Sequence, residues 1–259
     1  MSVSIKTEEE IELMRHAGKL LARLHVQLHK ELHAGMSTKK IDKICEEIIR
    51  SYGCKPSFLN YDGFPASICV SLNDVVVHGI PSKHEYLEEG DIVSLDTGLI
   101  YKGYHADAAR TWGIGEISDD VAKLVRETRE CFFRGIAKAV VGGHVNDIGR
   151  EVEDYAHSHG YGVVRDLVGH GIGTHLHEEP EVPNFRTKRR GMKLQAGMTI
   201  AVEPMINMGT WEVDFLDDEW TVLTADGLPS AHYENTILIT DDGPEILTLE
   251  KDENGTYIE

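Results

Sequence analysis

The chain has 259 residues, of which 41% are hydrophobic and 27% are charged, and its formal net charge is −18. This charge disfavours a broad surface for nucleic acid or anionic membrane, because both partners would be repelled over much of the protein. The polar start and the absence of any run near the roughly 20 apolar residues that span a bilayer argue against a signal peptide and a membrane helix.

Two amphipathic helices are predicted in the first half of the chain. Thr7 and Glu10 form a capping-box signal, and small or apolar residues follow at helical spacing. A second helix is predicted to begin near Ser37. The residues expected on the inward faces of these two helices are Ile11, Met14, Gly18, Leu21, Leu24, Leu28, Ile41, Ile44, Ile48 and Ile49. Strand-like runs follow at 87–96 and 109–112.

The second half repeats this order of elements. Ser118 is a favourable N-cap for a helix that carries Val121, Leu124, Val125 and Phe132. The pair Gly142 and Gly143 separates this helix from another predicted over 145–159. Strand-like runs follow at 194–203 and 236–240.

The two halves are related by an internal repeat. Segments 87–96 and 194–203 each begin with Leu, carry a Gly in a turn, and end their apolar run at an acid, Asp96 or Glu203. Further along, a histidine and an acid in the first half are echoed in the second; the pairs are His105 with Asp107 and His232 with Glu234.

Two helix-helix-strand units, each with an incomplete apolar face, would most economically share one core. We therefore predict an α+β fold in which pseudo-twofold related halves, about 5–112 and 117–240, surround a curved antiparallel sheet. A single domain is expected over 1–259, with a loosely held tail at 250–259.

Four acids are expected to meet near the pseudo-symmetry axis. A two-residue turn after Tyr101 would place Asp96 and Asp107 on the same face of a hairpin, and Glu203 and Glu234 repeat this arrangement. Burying four unpaired carboxylates is prohibitively unfavourable, whereas two divalent cations neutralise them. The imidazole ligand is expected from the glycine-rich segment 168–177, where His170, between two glycines, and His177 are the candidates, and such a mixed set suits Mn, Fe, Co or Zn.

This ordered ligand set resembles the dinuclear site of the pita-bread metallopeptidases, family M24. The stretches 60–65 and 71–81, together with the glycine-rich loop around His170, are similar to type I methionine aminopeptidases in particular. The resemblance implies a metal-dependent exopeptidase that removes N-terminal methionine from nascent proteins when the second residue is small. Water activated by the metals would attack the scissile carbonyl.

The resemblance also implies a role for each site residue. Asp96 would chelate one metal, Asp107 and Glu234 would bridge both, and His170 and Glu203 would complete the other. Glu203 would also carry a proton to the leaving amine, while His78 and His177 would act on the substrate near the scissile bond. The implied pocket for the methionine side chain consists of Tyr61, Phe64, Cys69, His78, His177 and Trp220.

Two further features follow from the resemblance. Asn73, Val75 and Ser230 match a family site for a monovalent cation, Na or K. Leu59 and Leu176 stand where other members often carry Cys and Phe, so the shape of the methionine pocket is expected to differ from theirs.

Two alternative functions remain open from the sequence. An X-Pro aminopeptidase or prolidase would share the metals and the fold, but it usually carries a large N-terminal domain, and the first repeat here begins by about residue 7. A non-catalytic binding module of the same fold would have lost ligands that this sequence retains.

The cysteines and the resemblance together lead to an expected setting for the protein. Cys45, Cys54, Cys69 and Cys131 lack the close spacing of a zinc site, which predicts free thiols in a reducing compartment. We expect a cytoplasmic monomer without a membrane or specific nucleic-acid partner. Its partners would be the N-termini of nascent polypeptides, and a transient ribosome contact is left open.

Overall fold

The computed structural model describes residues 3–258, and within this range it contains four α-helices. They are α1 (Glu8–Glu31), α2 (Thr38–Ser51), α3 (Asp119–Ile136) and α4 (Val145–Ser158). Thr7 caps α1 with a complete capping box, and the hydroxyls of Ser37 and Ser118 accept backbone N–H groups at the starts of α2 and α3. All four predicted helices are confirmed. None of the helices within 3–258 is long and apolar enough to cross a bilayer.

The strands of the first half are β1 (Lys55–Pro56), β2 (Cys69–Leu72), β3 (Val75–Val77), β4 (Ile92–Tyr101) and β5 (Tyr104–Gly113). A short 3-10 helix lies at Tyr61–Gly63. The strands of the second half are β6 (Gly162–Val163), β7 (Gly169–Gly171), β8 (Glu178–Val182), β9 (Thr199–Val202), β10 (Met205–Asn207), β11 (Val213–Phe215), β12 (Val222–Thr224), β13 (Ser230–His232), β14 (Asn235–Thr240), β15 (Gly243–Ile246), β16 (Glu250–Lys251) and β17 (Tyr257–Ile258).

The strands form two larger antiparallel sheets and three smaller ones. The first-half sheet has the order β1-β4-β2, with β5 also paired to β4, and the second-half sheet has the order β15-β14-β9-β7-β8. Three-stranded sheets join β13-β10-β6 and β11-β12-β3. The stretch in which we expect a loose tail contains the hairpin β16-β17, whose side chains are mostly exposed.

Each half packs its two helices on its own larger sheet. In the first half, one core cluster combines Leu21 of α1, Ile41 of α2 and Leu95 of β4. In the second half, the corresponding cluster combines Phe132 of α3, Ile148 of α4 and Ile200 of β9. The two halves are therefore built in the same way, which agrees with the predicted duplication and with the α+β fold class.

The hairpin β4-β5 has the predicted two-residue turn. Tyr101 pairs with Tyr104, and both Lys102 and Gly103 have positive φ, as a type I′ turn requires. β4 continues past the end of its apolar run to Tyr101, so Asp96 lies in the middle of the strand, as a turn after Tyr101 requires.

The two halves are hydrogen-bonded to each other through β5. The backbone N–H of Asp107 donates to the Thr236 hydroxyl, which in turn donates to the Asp107 carbonyl. Ala109 and Glu234 exchange backbone hydrogen bonds in both directions. These bonds fix the second-half segment that carries Glu234 beside the first-half strand that carries Asp107.

Arg110 completes this junction from behind. Its guanidinium is buried and donates to the carbonyls of Ala109, Glu234 and Thr248 and to the side-chain oxygen of Asn235. A cation with several carbonyl partners holds β5 and the 234–248 region in one arrangement.

Replacing Arg110 with Met should therefore destabilise the protein strongly. Several buried oxygens would lose a charged donor at once, so we expect a loss of at least about 3 kcal/mol in the free energy of unfolding. Urea denaturation measures this loss. The matched control is Arg50→Met on α2, where the arginine forms an exposed pair with Glu46 and should contribute under about 1 kcal/mol. Equal losses in the two variants would contradict the assigned role of Arg110.

Candidate metal centre

The first-half hairpin carries Asp96 and Asp107 on one face. Asp96 is paired with Ala109 and Asp107 with Gly98, so the two aspartates are diagonal neighbours across the hairpin, as the turn length predicts. Asp107 is almost completely buried. The Oδ1 atoms of both side chains are buried and have no hydrogen-bond partner among the described residues. Unpaired buried carboxylate oxygens must be neutralised either by a proton or by a bound cation.

The second-half sheet supplies three further side chains. His170 lies in β7, Glu203 directly follows β9, and Glu234 lies between β13 and β14. The glycines on either side of His170 are explained by the packing of neighbouring strands. A Cβ on Gly169 would lie 2.4 Å from the Ala201 carbonyl, and one on Gly171 would lie 2.1 Å from the Glu179 carbonyl. Close packing of β7 between its neighbours therefore excludes side chains at both positions.

The ring of His170 is oriented by its own backbone. Nδ1 lies 2.9 Å from the Gly171 carbonyl, and since a carbonyl only accepts, Nδ1 carries the proton. Burial lowers the pKa of His170 to about 3, so the ring is neutral at pH 7 and Nε2 presents a lone pair. This lone pair faces oxygens of Glu203 at 3.7 Å and Asp107 at 3.8 Å.

A lone pair directed at two carboxylates is unfavourable unless a cation lies between them. Ligand atoms of Asp107, His170 and Glu234 come within 4.8 Å of one another, which is the spacing of groups that can share a metal ion. The donor set of imidazole and carboxylate is the one that first-row divalent metals accept. The residues therefore fit a divalent metal centre.

The acids affect one another as well as the cation. Burial raises the pKa of Asp107 to about 7, and burial reinforced by neighbouring carboxylates raises the pKa values of Asp96, Glu203 and Glu234 well above their usual range. The positive charge of Arg110 partly opposes this rise in the pKa of Glu234. The guanidinium nevertheless hydrogen-bonds the backbone oxygen of Glu234 and not its carboxylate. Bound divalent cations would favour the ionised forms of all four acids.

All five expected ligands line one cavity of about 530 Å³, together with every residue expected to contact substrate. On one wall, the rings of Phe64 and Trp220 meet edge to face with centroids 5.1 Å apart. Cys69 pairs directly with Asp96 across β2 and β4, which places its buried thiol beside the carboxylates. Burial raises the pKa of this thiol well above its usual value.

The two accessory histidines occupy different environments. His78 has a left-handed backbone with φ of 61°, an uncommon conformation for a side chain of this size, and burial lowers its pKa to about 4. His177 is exposed, its ring meets that of His170 edge to face at 4.3 Å, and Nδ1 lies 2.8 Å from the Tyr61 hydroxyl. His175 is largely exposed, with hydrogen bonds to Thr174 and Glu178.

Several lining residues were not anticipated from the sequence. Phe58, Val77 and Met205 add apolar surface, and the acids Asp62, Asp166, Glu179 and Glu181 also line the cavity. Leu176 lines it too, whereas Leu59 does not. Val77 directly precedes His78 and Asp62 directly follows Tyr61, so adjacency in sequence could have identified these two; the others are brought in by tertiary packing.

The residues expected at a monovalent cation site are partly brought together. The N–H of Ser230 donates to the Asn73 carbonyl at 2.8 Å, and Asn73 has a left-handed backbone. Val75 lies at the start of β3, where it pairs with Leu223 of β12.

Comparisons with known proteins agree with this site. The chain is 53% identical to a methionine aminopeptidase of Clostridium acetobutylicum over 247 residues, covering 95% of this chain and 99% of the relative. The crystal structure of methionine aminopeptidase from Rickettsia prowazekii superposes with a TM-score of 0.94 at 38% identity, covering 96% of this chain and 100% of that one.

A more distant structural relative has the same fold. The Xaa-Pro dipeptidase from Bacillus anthracis superposes with a TM-score of 0.78 at 26% identity, and the match covers 96% of this chain but 63% of the dipeptidase. The fold is therefore the pita-bread fold that both kinds of enzyme share. The model of metallopeptidase family M24 matches residues 12–241, a range that includes all five expected ligands. The chain belongs to metallopeptidase family M24.

Proposed function

We propose that this protein is a type I methionine aminopeptidase that hydrolyses the peptide bond after an N-terminal methionine when the second residue is small. The observation that carries this proposal is the convergence in one cavity of four carboxylates, those of Asp107 and Glu234 buried, with a neutral His170 that presents a lone pair. The names of the similar proteins support the same activity and favour it over a prolidase or a non-catalytic module.

The five residues Asp96, Asp107, His170, Glu203 and Glu234 would hold two divalent cations, with Mn, Fe, Co or Zn as the candidates. Bound metal supplies the positive charge that activates water and polarises the scissile carbonyl near neutral pH. The strand positions of Asp96, Asp107 and His170 support this assignment, because ligands on strands are held more rigidly than ligands on loops.

The remaining chemistry belongs to side chains of this protein. Glu203 would take a proton from the attacking water and return it to the leaving amine, a role supported by its place among the residues that line the cavity. The Tyr61 hydroxyl and Nδ1 of His177 share a hydrogen bond, and when the hydroxyl is the donor, the proton of the His177 ring lies on Nε2, where it can serve the substrate. His78, which also lines the cavity, would donate a hydrogen bond to the substrate.

The methionine side chain would contact the apolar wall. Phe64 and Trp220 present aromatic edges and faces, and each sulfur–aromatic contact contributes about 0.3–1.5 kcal/mol. Tyr61 and Cys69 complete the wall that we assign to methionine. Asn73, Val75 and Ser230 would bind a Na or K ion through backbone oxygens.

We further propose that 1–259 forms a single domain, supported by the hydrogen bonds between β5 and the Glu234 segment. The partners would be the N-termini of nascent polypeptides in the cytoplasm, with transient ribosome contact and a monomeric state as the expected setting.

Removing the proton carrier should abolish most activity. We expect Glu203→Gln to lower kcat by at least about 100-fold, because general acid–base catalysis commonly contributes that much or more. Methionine release from Met-Ala-Ser measures this effect. The matched control Glu212→Gln changes an exposed acid outside the cavity and should retain activity. Near-normal turnover in Glu203→Gln would refute its role.

Metal should stabilise the protein as well as activate it. After chelation and dialysis, adding Mn or Co at about 100 times its dissociation constant should raise the free energy of unfolding by about 2.7 kcal/mol. Thermal denaturation and metal analysis measure this directly, and Asp107→Asn should greatly reduce the shift. An active preparation that is rigorously free of metal would contradict the proposal.

The second residue of the substrate should limit cleavage sterically. Its side chain must lie close to the metals and to His177, so we expect Met-Ala-Ser to exceed Met-Lys-Ser in kcat/KM by at least about 100-fold. Equal rates would overturn the specificity while leaving the aminopeptidase activity standing.

A further inference from the structure

The segment before α1 crosses the loop that carries His177. The backbone N–H of Lys6 donates to the Gly197 carbonyl at 2.8 Å, and the side chain of Lys6 is buried beside Glu178. Its ammonium lies 2.7 Å from Oε2 of Glu178 and also donates to the Ser4 hydroxyl. Ser4 in turn donates to the same carboxylate oxygen at 2.9 Å.

Both oxygens of Glu178 are engaged. While Oε2 accepts from Lys6, Oε1 accepts the backbone N–H of His175 at 3.1 Å. The N-terminal end of the same loop is held by β5, where the N–H of His105 donates to the Gly173 carbonyl at 2.8 Å. Glu178 therefore links the N-terminal segment to the backbone just before His177.

Gly173 shows how closely these groups pack. A Cβ at this position would lie 2.6 Å from Oε1 of Glu178 and 2.7 Å from the ammonium of Lys6. The side chains of Lys6 and Glu178 are only 4% and 13% exposed, so the pair lies in a poorly solvated site where losing one partner is costly.

The ring of His177 has few other restraints among residues 3–258. It is exposed, and its side chain contacts the Tyr61 hydroxyl and the ring of His170. Neither contact fixes the backbone from which the ring projects. Glu178 begins β8, where it pairs with Gly171 of β7. Its carboxylate, which is held by Lys6, accepts the N–H of His175 and so restrains the backbone just before His177.

We propose that Lys6 is a positioning residue for His177, acting through the buried ion pair with Glu178. This inference rests on the proposed role of His177 in acting on the substrate carbonyl. A displacement of the His177 backbone by even part of an ångström would weaken a hydrogen bond that matters most as charge develops on that carbonyl.

The first test replaces the ammonium. Lys6→Met should lower kcat for Met-Ala-Ser about 10- to 100-fold, the range typical of residues that orient a functional side chain, with KM nearly unchanged. Lys6→Arg, which keeps the charge, should recover much of the loss. Arg15→Met is the matched control, because Arg15 also ties the N-terminal region, through a 2.7 Å ion pair to Glu245, but does not contact the loop.

The second test uses His177→Ala as a background. If Lys6 acts through His177, adding Lys6→Met to His177→Ala causes no further loss of kcat. If the losses of kcat in the two single variants multiply in the double variant, the proposal is overturned and Lys6 has a general structural role. Unchanged activity of His177→Ala by itself would instead refute the proposed role of His177, so the two failures are distinguishable.

A folding control keeps the result interpretable. If Lys6→Met fails to fold by circular dichroism, the same comparison is made with Glu178→Gln, which keeps the side-chain shape and weakens the bond to Lys6. Loss of kcat in Glu178→Gln that disappears in the His177→Ala background would support the proposal, and its persistence there would overturn it.

Discussion

Four carboxylates face one another in this protein because backbone segments from the two halves of the chain are hydrogen-bonded side by side. The reciprocal bonds between Ala109 and Glu234 bring the acid of one half to the acid of the other. Such an arrangement is electrostatically unfavourable by itself, and burial makes it more so. The hydrogen bonds of the fold hold the acids in place, and divalent cations offset their repulsion. Fold stability and metal affinity are therefore coupled at a single junction.

The guanidinium of Arg110 lies directly behind Glu234 but does not hydrogen-bond its carboxylate. The hydrogen bonds of Arg110 go to carbonyl and amide oxygens instead. An arginine paired with the carboxylates would lower their affinity for metal by satisfying the same oxygens. By binding the backbone instead, Arg110 strengthens the junction and leaves the ligand oxygens available. The fixed tautomer of His170 has a parallel effect, since Nδ1 is used on the backbone and Nε2 is kept for the site.

The sequence predicted the features that follow from local rules. Capping residues located the starts of α1, α2 and α3, and the two-residue turn determined that Asp96 and Asp107 share a face. Contacts between distant segments were not predictable in this way. Nothing local indicates that Phe58 and Met205 meet in one cavity, or that Lys6 pairs with Glu178, because these contacts depend on how the two halves dock. The glycines beside His170 are visible in the sequence, but the reason for them is the close packing of β7 between β8 and β9, and the sequence alone does not give the order of these strands.

The site divides its residues between rigid and adaptable parts of the fold. Asp96, Asp107 and His170 lie within strands, where ladder hydrogen bonds hold them to the accuracy that metal coordination needs. His177 lies in an exposed loop, as expected for a group that must admit a peptide and release its product. A loop residue with a catalytic task needs another restraint, and here it comes from a charged side chain at the far end of the sequence. Long-range ion pairs of low exposure are weak evidence for stability, because desolvation offsets much of their attraction. Their directional bonds can nevertheless select one loop conformation among several, which is the property that His177 requires.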